Sequence, residues 1–137
     1  MVNSYKITKS NILEALAIAA PNYSLPVDLN NLIEIGSEEN SFALPLPFIA
    51  VDFNFGSALS HTGYLHILKT IVFVGVDAPN IGEAKVLANT LASEVLATLL
   101  NNNLVQIPQN SLFKEFHKSY SNICIVKLSF QNTISAI

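Results

Sequence analysis

The chain has 137 residues, half of them hydrophobic and only 12% charged, enough to bury one sizeable core without metal or disulfide staples and far from the composition of disordered chains. The formal charge is −3, all seven basic residues are lysine and arginine is absent; without the bidentate guanidinium fork and with the lysines scattered, no basic patch and no sequence-specific nucleic-acid binding are expected. The single cysteine, Cys124, has no partner for an intrachain bridge, and no stretch approaches the roughly 20 apolar residues of a membrane span, so no membrane partner is expected.

One domain over residues 1–137 is the expectation. The start, Met1 to Lys6, has neither the charged head nor the apolar run of a secretory signal, so synthesis and use in the cytoplasm, or exit from it inside something larger, are expected. Low charge leaves an apolar or amide-rich surface, which in a domain of this size points to contact with other subunits.

In chain order, Ser10 precedes an Ala- and Leu-rich run, Asn11 to Ala20, with Glu14 in its first turn, and Pro21 forbids continuation. This predicts a short helix. From Asn22 to Asn40 turn formers alternate with short apolar groups, which predicts a surface connection with at most a turn of helix or a short strand near Leu32 to Ile35. In Phe48 to Phe55 the odd positions Ile49, Val51, Phe53 and Phe55 are apolar, a period of two that predicts a strand with one buried face. Pro45 and Pro47 set its beginning near Phe48. A projecting loop, Gly56 to Gly63, is expected next. Tyr64 to Val76 is apolar on both parities, which predicts a long central strand covered on both faces or protruding at one end.

Asn80-Ile81-Gly82-Glu83 places an N-cap residue three positions before a glutamate and ahead of a long periodic run. It predicts the main helix, with Ile81, Ala84, Leu87, Ala88, Leu91, Val95 and Leu99 on one stripe and Val86, Leu96 and Leu100 pointing away from it. Asn101 to Asn103 end the helix, because Asn tolerates the left-handed conformation found there. Leu104 to Ile107 reads as a short strand, and Pro108 to about Lys118 as a linking segment. Tyr120 to Gln131 reads as a last strand, with Cys124, Val126, Leu128 and Phe130 facing the core and Lys127 and Ser129 the other way. The sum is an α+β fold: a mostly antiparallel sheet with a long hairpin, one main helix packed on it and a short N-terminal helix.

Little in this framework carries chemistry. No glycine opens a phosphate loop and no serine sits in a Gly-x-Ser-x-Gly elbow. Asp52, His61 and His66 are the one cluster that hairpin pairing could assemble for metal or acid–base work, but a zinc site needs further ligands and a surface Asp–His contact needs no function. His117, beside Glu115 and Lys118, reads as solvated, Glu38 and Glu39 as a solvated loop pair, and Cys124 as core. No catalytic, cofactor-binding or metal residue is assigned.

The order of a short helix, a proline-bearing approach to a strand, a long hairpin, and Ile71-Val72-Phe73-Val74-Gly75-Val76-Asp77 leading to a helix that opens near Glu83-Ala84 resembles the tail terminator (tail-completion) proteins of tailed bacteriophages. The resemblance covers about Asn11 to Phe130 by element order, with local detail from Ile71 to Leu100; this chain departs from the family in lacking arginine. It implies a non-enzymatic virion protein, assembled in the host cytoplasm, that forms a hexameric ring on the tail tube, terminates tail polymerisation and joins tail to neck. The implied partners are further copies of itself, the tail tube protein and a neck or connector protein, with the sheath protein as a further candidate. Ring closure needs two different patches per subunit, for which the main helix and the hairpin are the candidates. A ring of such subunits is anionic and is expected to repel DNA in its lumen. The alternatives are another head-to-tail connector or tube-like protein, or a small enzyme in which Asp52, His61 and His66 converge.

Overall fold

The computed structural model describes residues 4–36, 45–60, 63–108 and 112–134. The elements are α1 (Ser4–Ala19), β1 (Leu32–Glu34), β2 (Phe48–Ser60), β3 (Gly63–Asp77), α2 (Ile81–Asn101), β4 (Lys114–Tyr120) and β5 (Ile123–Ile134). The strands form one sheet in the order β1-β2-β3-β5-β4, with β1 parallel to β2 and every other pairing antiparallel. Both helices pack on the same sheet face, which gives the expected α+β architecture.

The main helix starts where the capping signal puts it. Asn80 Oδ1 accepts the Glu83 amide at 2.9 Å, satisfying one of the orphan donors of the first turn. Ala84, Ala88, Leu91, Ala92, Val95 and Leu99 are buried, and Asn103 ends the run with φ at 53°. The stripe is rotated slightly from the sequence reading. Leu87 lies at its margin, 37% exposed, whereas Leu96 and Leu100 join the edge of the core and only Val86 stands fully outward.

The first helix begins at Ser4 instead of after Ser10, so Ser10 is a mid-helix residue and not a cap. Tertiary contacts explain the extra turns: the Tyr5 ring lies 5.1 Å from that of Phe55, and Lys9 Nζ lies 2.6 Å from Glu34. Ile12, Leu16 and Ala20 are buried, and Pro21 falls in a 3-10 turn, Ala20–Asn22, that closes the helix. The turn is tied to α2 by Tyr23 Oη and Thr98 Oγ1 at 2.6 Å and by the Ser24 amide donating to the Glu94 carboxylate at 3.0 Å.

The central strand is β3, and Val72 to Val76 are buried on both sides, as the unbroken apolar run predicted. Ile49, Val51, Val72, Val74, Cys124, Val126, Leu128 and Phe130 face the helices. A second cluster, Ile35, Phe48, Ala50, Phe73 and Ile125, covers the opposite face. The single buried face read into Phe48 to Phe55 is therefore incomplete: Phe48 and Ala50 are buried too, while Phe55 is 52% exposed. The described ends of the connection between β1 and β2 supply the reason. Ile35 and Leu46, at its two ends, pack on the second cluster.

The C-terminal third needs three corrections. Leu104 to Ile107 is not a ladder strand; it lies beside β5 through Gln131 N to Gln106 O at 2.9 Å and through both ends of the Asn132 amide, which donates to Leu104 O at 2.6 Å and accepts from Gln106 N at 3.3 Å. The stretch read as a link holds strand β4, whose alternation is broken by a bulge between Phe116 and Lys118. Tyr120 belongs to β4, and Ser121, with φ at 53°, turns the chain into β5 at Ile123.

Candidate assembly surfaces

The hairpin pairs from Phe48↔Gly75 to Ser60↔Gly63, so Gly56 to Ser60 are strand and not loop. It is no free arm. Strand β5 accompanies β3 as far as His66↔Ile134, and α1 lies over the β2 side, with Lys9 Nζ 5.9 Å and 5.6 Å from the Tyr5 and Phe53 ring centres. The hydrogen bond to Glu34 is the main cause of a raised Lys9 pKa, and burial opposes it. What the outer half leaves exposed includes Phe55 and Leu65.

The register decides the acid–base cluster. Asp52 stands opposite Ile71, whereas His66 stands opposite Ser57, five positions further along β3. Strand alternation puts the two side chains on opposite faces, separated by roughly 16 Å along the strand. His66 instead meets Ser57 Oγ through Nδ1 at 3.3 Å and stacks on Phe55 with centroids 5.8 Å apart. His61, Glu38 and Glu39 lie outside the described residues. Among the described residues no group of three or more His, Cys, Asp or Glu could hold a metal ion.

His117, expected in solvent, is half-buried with its ring tilted against Phe73 at 5.1 Å, because strand alternation puts it on the sheet face opposite Phe116. Cys124 is buried in the helix-side core; desolvation raises its thiol pKa, which Lys85 partly offsets. It has the environment of a packing residue, not a nucleophile.

The surface that sequence reasoning missed lies where α2 meets β4. Leu112 and Phe116 are 73% and 56% exposed. Lys85 Nζ sits 6.0 Å from the Phe116 ring centre, and Lys114 Nζ is 2.8 Å from Ser93 Oγ. Asn89, Lys114, Glu115, Phe116 and Val126 line a groove of about 160 Å³. Lys118 and Lys127, opposite Ile125 and Phe73, belong to the other sheet face, so the cations beside this groove are Lys85 and Lys114. The sequence signal was weak because Phe116 is the lone large apolar residue inside Lys114–Tyr120.

Among the described residues no helix is long and apolar enough to cross a membrane. No protein-family model and no curated protein matches the chain.

Proposed function

We propose that the chain is a structural subunit of a tailed bacteriophage: a tail terminator that closes into a hexameric ring on the head-proximal end of the tail tube, stops tube growth and presents a surface to the neck. The observation that carries the reading is the placement of exposed apolar side chains at two different ends of the sheet. Leu112 and Phe116 lie at the β4 end, and Leu29, 52% exposed, lies at the β1 end. A ring built from one kind of subunit uses such a pair of unlike patches, since each copy offers one to its left and the other to its right. Large apolar groups left outside an otherwise well-filled core are a cost that contact with a neighbour removes.

The proposed partners are further copies of the chain, the tail tube protein and the neck, with the sheath as a further candidate, and the proposed location is the virion tail, reached by assembly in the host cytoplasm. A connector or tube-like role elsewhere in the particle would use the same patches. The enzyme alternative needs Asp52 and His66 in one pocket, and their register separates them. Native mass spectrometry of the purified chain tests ring formation: closed oligomers of a single size, six copies on this reading, are expected. Monomer at every concentration would overturn it.

A further inference from the structure

We infer that copies of this chain join edge to edge, the groove between α2 and β4 of one copy receiving the Asp28–Leu29 corner of the next. The inference rests on the ring reading above and assigns its two patches.

Leu32, Ile49, Val74, Val126 and Phe116 are successive cross-strand partners. They form one row that crosses the whole sheet from the β1 edge to the β4 edge. Leu29 opens the 3-10 turn that runs directly into Leu32, so the corner lies within one turn, roughly 6 Å, of the row's β1 end, with Phe116 at the other end. Unlike patches at one height let a neighbour be related by rotation alone about an axis along the strands, which closes a ring; patches offset in height would climb into a filament.

Charge selects the occupant. The groove is lined by Lys114 and Phe116 and overlooked by Lys85, with Glu115 as its acidic member. At the other edge the exposed carboxylates among the described residues are Asp28 and Glu34, the latter paired with Lys9. Asp28 Oδ1 accepts the Asn30 amide at 2.8 Å, which fixes its carboxylate beside the exposed Leu29 side chain. An apolar knob with a carboxylate at its base thus faces an apolar groove with a cationic rim. The outer half of the hairpin is the rival occupant, but Lys69 lines its own surface groove and would meet the cationic rim with like charge. The contact is made by side chains and not by an added strand, because the bulge at His117 and the lysines of β4 discourage backbone pairing.

The test compares full-length wild type, Lys85→Glu, Asp28→Lys and the double variant by sedimentation velocity at low and high salt, with thermal melts to verify folding. Each single change is expected to weaken association by about tenfold or more, and the double variant to recover most of the loss, with the wild-type contact weaker at high salt. Folded single variants that assemble as tightly as wild type, or a double variant no tighter than the singles, would overturn the edge contact and leave the ring reading standing. Wild type that stays monomeric overturns both. Unchanged assembly together with Lys85-dependent binding of a random-sequence DNA duplex would reassign the cationic edge to nucleic acid and overturn the inference.

Discussion

The Phe48 ring fills the space that a side chain on Gly75 would need: a Cβ built on Gly75 falls inside the ring's van der Waals envelope. The two residues are cross-strand partners at the base of the hairpin, and Phe48 is only 1% exposed. Glycine here is required by close approach and not by backbone conformation. Gly75→Ala is expected to cost about 1–3 kcal/mol, as overpacking of a filled core does. Urea unfolding measures it, and Phe48→Leu in the same chain should return part of the loss by making room. A neutral Gly75→Ala would contradict the packing described.

Thr70 is fully buried on the helix-facing side of β3, and its hydroxyl has no hydrogen-bond partner. An unsatisfied buried hydroxyl costs about 1–3 kcal/mol, and valine has nearly the same shape without it. Thr70→Val should therefore raise the unfolding midpoint, whereas Thr70→Ala should lower it by leaving a cavity. A destabilising Thr70→Val would show that the hydroxyl is satisfied after all.

Asn132 stands in for a strand by bonding both Leu104 O and Gln106 N with one side chain. Asn132→Ala is expected to cost about 1–2 kcal/mol and to speed hydrogen exchange at the Gln106 amide selectively. Exchange rising equally throughout β5 would instead mean that the clamp is not local.

Stability should fall on the alkaline side. Burial raises the Tyr23 hydroxyl above its ordinary 10.0 and the Cys124 thiol above 9.0, and the Glu34 hydrogen bond raises Lys9 above 10.5. Each group holds its proton more tightly when folded. The contribution is therefore complete below the unfolded value and is lost as pH rises through the folded one. Urea midpoints should be level around neutrality and decline from about pH 9 upward, with Cys124→Ala delaying the onset. A midpoint that climbs over that range would contradict the sign.

Much of this fold could be read from the chain because local and tertiary signals agree. The Asn80 to Glu83 cap, the two-sided apolar run of β3 and the alternation of β5 each specify one element, and each is found. Reading failed where tertiary contacts override local pattern. The early turns of α1 are held by Phe55 and Glu34, far away in sequence, and Phe48 is buried in a second cluster with Ile35, Phe73 and Ile125 that no periodicity announces. The α2–β4 surface was invisible for a related reason. The bulge at His117 destroys the period of two, so the strand carrying Phe116 reads as a link, and Lys85 and Lys114 come beside Phe116 only in the folded chain.

Electron microscopy of polymerising tail tube protein, with and without the purified chain, tests the central claim most directly. Termination by this protein predicts shorter tubes of uniform length, each bearing a ring of it at one end. Tubes of unchanged length with bare ends, in a mixture that contains assembled rings, would contradict it.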